Sequence, residues 1–129
     1  AIADFNLDGL LDLVVVNRWE SAQVWRNTTA KAGHWVKIKL QQPSPNRDAV
    51  GAWIELRTST RVTRREITVG GGHASGQAGW THMGLGDSER AEIRVKWPYG
   101  DWSEPYTVQA GTLVIVDRDK AGVTGWNPK

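Results

Sequence analysis

Hydrophobic and polar residues alternate in short runs along this chain, a pattern typical of β-strands with one buried and one exposed face. In 36–40, Val, Ile and Leu alternate with two lysines, and in 93–97, Ile, Val and Trp alternate with Arg and Lys. The run 14–16 is valine throughout, which predicts a strand covered on both sides. The predicted strands are 13–16, 23–25, 35–40, 53–56, 62–69, 91–97, 106–108 and 113–116.

Glycine, proline, asparagine and aspartate separate these segments, and no window of useful length has helical spacing. The sequence therefore predicts an all-β fold, an antiparallel β-sandwich or barrel. Stretches 41–48 and 70–79 are predicted to be long loops, because one is polar with two prolines and the other contains five glycines. The stretch 120–129 lacks patterning and is predicted to be a tail that is frayed or held by a partner.

The N-terminal segment places oxygen-bearing side chains at regular intervals on one loop. Calcium takes six to eight oxygen ligands, and alternate side chains of a tightly curved loop can all face one ion. Gly9 follows the third such residue, where the backbone must turn sharply. An EF-hand is not predicted, because Val15 stands where its bidentate Glu belongs. The predicted Ca²⁺ ligands are Asp4, Asn6, Asp8, Leu10 through its carbonyl, and Asp12. The alternative is that the acids decorate a surface turn.

Composition sets the class of protein. A chain of 129 residues with 40% hydrophobic and 23% charged residues is expected to form one domain with a short appendage. The net charge of +2, with basic residues spread among acids, gives little support to a nucleic-acid partner. The absence of cysteine excludes disulfides and zinc–thiolate sites, and no apolar run approaches the ~20 residues of a membrane span. The start at Ala1 favours a piece of a longer precursor.

Two segments together resemble known extracellular families over nearly the whole chain. Residues 4–17 and 22–27 resemble the last calcium-binding repeat of the FG-GAP/VCBS type, found in β-propellers. From Gly33 onward the chain is similar to the ASPIC/UnbV domain of the cartilage acidic protein family. The likeness is carried by 33–36 (Gly-His-Trp-Val), 46–52 (Asn-Arg-Asp-Ala-Val-Gly-Ala), 83–86 (Met-Gly-Leu-Gly) and 95–100 (Val-Lys-Trp-Pro-Tyr-Gly).

The resemblance implies a propeller-type calcium loop and strand pair over 1–32, a β domain over 33–119 and the tail over 120–129. It also implies Ca²⁺ ligation at the loop residues named above, and a secreted or cell-surface protein. A complete propeller is not expected from this chain alone, because the acidic loop occurs once.

Eight tryptophans are unusual for a chain of this length. Trp35, Trp53 and Trp97 fall on predicted strands and can belong to the core, whereas loop tryptophans often bind ligands because flat indole faces stack on sugars and on partner aromatics. The predicted ligand-binding residues are Trp80, Trp102 and His73, with a glycan or an extracellular protein as partner. The alternative, that most tryptophans fill a small core, stays open.

No catalytic residue is predicted. The glycine-rich segment around His73 and Ser75 lacks the G-x-S-x-G spacing of a nucleophile elbow, and nothing fixes the separation of carboxylate pairs such as Asp87 with Glu89. The predicted function is thus a non-catalytic, calcium-binding adhesion or carbohydrate- or protein-binding module. The alternative is a structural subunit of an extracellular fibre, completed by strand exchange with copies of itself.

Overall fold

The computed structural model describes residues 1–71, 76–77, 79–120 and 122–128. It divides into two compact units, Ala1–Ala32 and Gly33–Lys129. The described residues form eleven strands and no helix, which confirms the all-β prediction. Among these residues there is accordingly no helix with the length and apolar character that crossing a bilayer requires.

The first unit is a three-stranded antiparallel sheet, called sheet A, with strand order β1-β2-β3. Its strands are β1 (Ile2–Ala3), β2 (Asp12–Val15) and β3 (Gln23–Trp25). The acidic loop connects β1 to β2. The predicted covering of 14–16 on both sides is wrong, because Val14 and Val15 are only half-buried and Val16 is exposed.

The interior of the first unit is polar. Of residues 1–32, all of which the structure describes, the buried ones are Asp4, Gly9 and Asp12. No apolar side chain of this unit is buried. The acidic loop therefore takes the place that a hydrophobic core holds in most domains.

The second unit consists of two four-stranded sheets. Sheet B has the order β11-β10-β4-β7, and sheet C the order β6-β5-β8-β9. The strands are β4 (His34–Gln41), β5 (Trp53–Arg57), β6 (Val62–Glu66), β7 (Thr81–Gly86), β8 (Arg90–Lys96), β9 (Tyr106–Gln109), β10 (Thr112–Asp117) and β11 (Gly122–Trp126). Because both sheets are open, the arrangement is sandwich-like, which decides between the two predicted architectures.

Alternate residues of the strands build the core of the second unit. Ile38 on β4, Ile54 on β5 and Ile93 on β8 are completely buried, together with Val116 on β10. Each is flanked by residues that point to the outer face of its sheet, as the period of two requires. The alternation that predicted β4 and β8 is therefore the pattern that fills the space between sheets B and C.

Three strands were absent from the prediction. The strand β1 has two residues, and β7 and β11 each contain two glycines, which weaken a strand pattern. The predicted tail at 120–129 is wrong over most of its length, because β11 pairs with β10 from Leu113↔Trp126 to Asp117↔Gly122. The predicted strand 62–69 ends at Glu66. The pairing of β4 with β10 is parallel, whereas only antiparallel pairs were predicted.

Two glycines meet where β4 begins and β7 ends. A Cβ on Gly33 would lie 2.9 Å from both the Cα and the carbonyl oxygen of Gly86. The register of β4 on β7 shifts between His34 and Trp35, next to this contact. The glycines of the segments 33–36 and 83–86 thus allow a close approach of two backbones that any side chain on Gly33 would prevent.

Candidate functional site

The acidic loop is curled by hydrogen bonds from its own backbone to its carboxylates. Asp4 accepts from the N–H of Asp8 at 3.1 Å through Oδ1 and from the N–H of Gly9 at 2.8 Å through Oδ2. Asp8 accepts from the N–H of Leu10 at 2.9 Å. Gly9 has a φ of 91°, which an L side chain rarely adopts. The sequence position of the glycine is therefore explained by the turn that the loop makes.

Asp12 fastens the loop to the sheet. It is the first residue of β2, is 4% exposed, and accepts from the N–H of Phe5 at 3.1 Å and of Asn27 at 2.8 Å. The side chain of Asn27 also donates to the carbonyl of Leu11 at 3.2 Å. One carboxylate thus joins the start of the loop, the start of β2 and the residues after β3.

Arg26 and Asn27 are contributors to this site that the sequence analysis missed. Arg26 lies with its Nη2 3.4 Å from Oδ2 of Asp8. The pKa of the Asp8 carboxyl is lowered, first by the N–H of Leu10, then by the side-chain amide of Asn6, and to a lesser degree by Arg26. The available signal was that β3 ends at Trp25 and pairs with β2, which brings the next two residues to the loop.

The donor set of the loop fits the chemistry of Ca²⁺. Three carboxylates, the amide oxygen of Asn6 and the carbonyl of Leu10 are hard oxygen ligands of the kind that Ca²⁺ prefers. The Asp8 carboxylate already accepts from Leu10, Asn6 and Arg26. Within the described residues, however, no three His, Cys, Asp or Glu side chains converge as a group that could hold a metal by themselves. An ion at this loop would therefore depend on Asn6 and Leu10 as well.

The predicted ligand-binding tryptophans lie on different sheets. Trp80 directly precedes β7 of sheet B and contacts Trp126 of β11, with ring centroids 5.2 Å apart. Trp102 forms a bridge with Lys96 of β8 and belongs to sheet C. His73 lies outside the described residues. The structure thus does not assemble Trp80 and Trp102 into one site.

An aromatic cluster covers the outer face of sheet B. The ring of Trp35 stacks on His82 with centroids 5.9 Å apart, and Nζ of the buried Lys37 lies 5.6 Å from the Trp35 ring. Trp80 and Trp126 form a second pair on this face. Trp35, His82 and Trp80 are half-buried, whereas Trp126 is 42% exposed, so only part of this aromatic surface is covered by contacts between rings.

The outer face of sheet C carries tryptophans that are free of such ring contacts. Trp53 lies opposite Lys96 on β8, and Lys96 bridges to Trp102 on its other side. The two indoles are 40% and 36% exposed, and the guanidinium carbon of Arg94 lies 5.1 Å from the Trp102 ring centroid. Residues directly opposite each other share a face of the sheet. The expectation that Trp53 belongs to the core is therefore wrong, whereas Trp97 is buried.

Glu55 organises the arginines of this outer face and was not singled out from the sequence. It is 2% exposed and accepts from Nε of Arg64 at 2.8 Å and from Nη2 of Arg94 at 2.7 Å, while Nη2 of Arg57 lies 3.5 Å away. The hydrogen bond from Arg94, followed by that from Arg64, lowers the pKa of the Glu55 carboxyl. A buried anion thus fixes the cations that surround it.

Comparisons with known proteins show the family of this chain. The family model described as ASPIC and UnbV matches residues 41–123. Cartilage acidic protein 1 of Xenopus tropicalis is 29% identical over 104 residues, which cover 78% of this chain and 16% of the relative. The Mus musculus protein of the same name is 29% identical over 103 residues, which cover 77% of this chain and 16% of that relative. The chain thus spans about one sixth of the length of these curated relatives. The family match begins at residue 41, so the calcium-binding repeat over 1–32 stays a prediction.

Proposed function

Since the chain belongs to the ASPIC and UnbV family, we propose that it is a non-catalytic extracellular module that binds glycans and holds Ca²⁺. The glycan would bind to the outer face of sheet C, and the ion to the acidic loop of the first unit. The similarity to a protein whose name refers to cartilage supports an extracellular location. No residue of the chain is given a catalytic role.

The observation that carries the proposal is the placement of Trp53 and Trp102 on either side of Lys96. Neighbouring strands are spaced by about 4.8 Å, so the backbones of Trp53 and Trp102 stand roughly 10 Å apart across the sheet. Both present part of their surface to solvent, although burying an indole is favourable. Two indoles on one flat face offer stacking surfaces for a sugar chain, with few torsions to freeze on binding.

Cations on the same face support this role. Arg94 covers part of the Trp102 ring while its guanidinium is held by Glu55. A guanidinium fixed in this way keeps further N–H groups, which can donate to sugar hydroxyls without a new loss of side-chain entropy. The tryptophans on sheet B, including Trp80, contact other aromatic rings instead. We therefore prefer sheet C as the binding face. Of the ligand-binding residues predicted from the sequence, Trp102 lies on this face.

Calcium would serve the first unit as a substitute for a core. The residues that would hold it are Asp4, Asn6, Asp8, Leu10 and Asp12. When bound, the ion would supply positive charge beside these carboxylates. The polar interior of residues 1–32 supports this proposal, because without buried apolar side chains the unit has little else to stabilise it. A ligand that binds only the folded loop adds its binding free energy to stability.

Glycan binding is tested by screening the full chain on an array of neutral and acidic glycans and measuring the strongest hits by calorimetry. Trp53→Ala and Trp102→Ala should each weaken binding by about tenfold or more, because stacking on a large indole is lost. Trp19→Ala is the matched control, since Trp19 is 85% exposed and lies in the other unit. Unchanged affinity in both sheet C variants would overturn this site, and an empty array would overturn glycan binding.

A second candidate function is assembly with copies of the same chain. Ile2, Leu13 and Trp25 lie opposite one another across sheet A and are all exposed, so they form an apolar row over all three strands. An exposed apolar row next to open strand edges favours pairing with another chain. Sedimentation velocity over a range of concentrations tests this. A monomer at every concentration would exclude it.

A further inference from the structure

One side of β8 carries a row of charged residues that leads away from the tryptophan pair. Ala91, Ile93 and Val95 are buried, so the residues between them point to the outer face of sheet C. These outward residues are Arg90, Glu92, Arg94 and Lys96. The distance along the strand from residue 92 to residue 96 is about 13 Å, at about 3.3 Å per residue. The row is thus longer than a single sugar ring.

A polar groove lies at the far end of this row. It has a volume of about 850 Å³, and its lining includes Arg57, Ser88, Glu92, Thr107 and Gln109. Glu92 lies opposite both Arg57 on β5 and Thr107 on β9, which places these three side chains on the outer face. Volumes of about 300–1,000 Å³ are usual for ligand sites. This groove differs from a typical apolar pocket because Ala91 is the one apolar residue of its described lining.

The groove and the tryptophan pair are parts of one continuous surface. Arg94 lies between them on β8, opposite Glu55, and touches Trp102. The sequence of features along the strand is therefore groove, arginine and indoles. Because Trp53 and Trp102 flank Lys96 across the strands, a ligand that runs along β8 would place one end sugar over Lys96, between the two indoles. Its other end would meet the hydroxyl and amide groups of Thr107 and Gln109.

The charges of the groove indicate what kind of ligand can enter it. Arg57 and Arg90 line the groove together with Glu89 and Glu92, so cations and anions balance there, whereas Arg94 and Lys96 add positive charge toward the indoles. A sugar hydroxyl both donates and accepts, and can therefore use a carboxylate and a guanidinium side by side. A polyanion would gain from the arginines but would be repelled by the two carboxylates.

We infer that the ligand is an uncharged linear glycan that runs along β8 from the tryptophan pair into the polar groove. This inference rests on the proposed glycan binding and adds the charge and the length of the ligand to it. Under this arrangement, short sugars reach the indoles alone, and longer ones reach the groove as well. Affinity should accordingly rise with chain length in neutral glycans.

The test measures binding of the full chain to β-1,4-linked glucose, xylose and mannose oligosaccharides of two and six units, beside polygalacturonate and heparin hexasaccharides. A neutral hexasaccharide should bind about tenfold or more tighter than its disaccharide, which corresponds to one or two added hydrogen bonds. Glu92→Gln combined with Gln109→Ala should remove this advantage and leave disaccharide binding unchanged. Both positions are exposed, so an unchanged melting curve checks the fold.

The outcomes separate the two proposals. Preferential binding of the anionic hexasaccharides would overturn the uncharged ligand and leave glycan binding intact. A neutral ligand whose affinity is the same at two and six units, or is unaffected by the groove variant, would overturn the path along β8. If none of these sugars binds, and the array of neutral and acidic glycans is empty too, the proposed function itself fails and the inference falls with it.

Discussion

Glu55 and Arg94 face each other across β5 and β8, and Nη2 of Arg94 donates to Oε1 of Glu55 at 2.7 Å. The carboxylate is buried, whereas its arginine partners reach into solvent. Water thus weakens these ion pairs at the arginine end, while the buried carboxylate keeps a fixed position. This geometry makes Glu55 a determinant of both the stability and the surface of sheet C.

We expect Glu55→Gln to lower the free energy of unfolding of the second unit by about 1–2 kcal/mol, the lower part of the range for hydrogen bonds to charged groups, because the arginines are partly exposed. Urea unfolding followed by the NMR signals of residues 33–129 measures it. Glu104→Gln, which makes the same change at an exposed position, is the control and should have little effect. Equal effects of the two variants would contradict the structural role of Glu55.

The contribution of Glu55 should also appear in the pH dependence of the free energy of unfolding. The pKa of Glu55 is lowered in the folded state from its ordinary value of 4.5. A lowered pKa means that the contribution of the carboxylate is complete above about pH 4.5 and is lost as the pH falls through the folded-state pKa. Unfolding free energies measured from pH 7 to pH 3 should therefore show a gap between wild type and Glu55→Gln that narrows below pH 4.5. A gap that stays constant would disprove this assignment.

The contact of Gly33 with Gly86 predicts a large effect from one methyl group. Gly33→Ala places a Cβ 2.9 Å from backbone atoms that cannot move independently, and should cost roughly 1–3 kcal/mol of stability, as overpacking does. Gly125→Ala is the matched control, because a Cβ there meets nothing within 4 Å. Denaturant midpoints of the two variants give the comparison. If Gly33→Ala is as stable as Gly125→Ala, the close approach has no structural importance.

Calcium should act on the first unit. At a concentration about 100-fold above its dissociation constant, the ion should stabilise this unit by about 2.7 kcal/mol. Hydrogen exchange of the amides in β2, with Ca²⁺ and with chelator, reports this locally. Asp12→Asn should abolish the difference, while Glu20→Gln, an equal change of charge at an exposed residue, should preserve it. Identical protection in both conditions would exclude the calcium site.

The strands with complete alternation were predicted, whereas two of the three missed strands carry glycine in place of side chains. The strand β8 is an example of the first kind, and β7 and β11 are examples of the second. The exposure of Trp53 was also readable, since Ile54 and Leu56 must face the core and thereby turn their neighbours outward. The parallel partner of β4 was not readable, because strand pairing between distant segments depends on contacts that no local pattern contains.

The acidic loop was recognised from its spacing, but its supports were not. Arg26 and Asn27, which brace the loop, follow the next strand but one of the same unit, and their role depends on the pairing of β3 with β2. Glu55 escaped notice for a similar reason, because its arginines come from two other strands. The loop residues with oxygen-bearing side chains can be found from their spacing in the sequence. The residues that hydrogen-bond to them are known only once the strand pairing is known.

The parallel pairing of β4 with β10 constrains how the second unit can assemble. Ile38 lies opposite Val114, so β4, the first strand of this unit, can pair with β10 only after β10 has been synthesised. Hairpins such as β5 with β6 can close early, since their partners are adjacent in the chain. During synthesis the hairpin of β5 and β6 could therefore form while β4 still lacked its partner β10. The second unit can therefore be complete only after β10 has been synthesised.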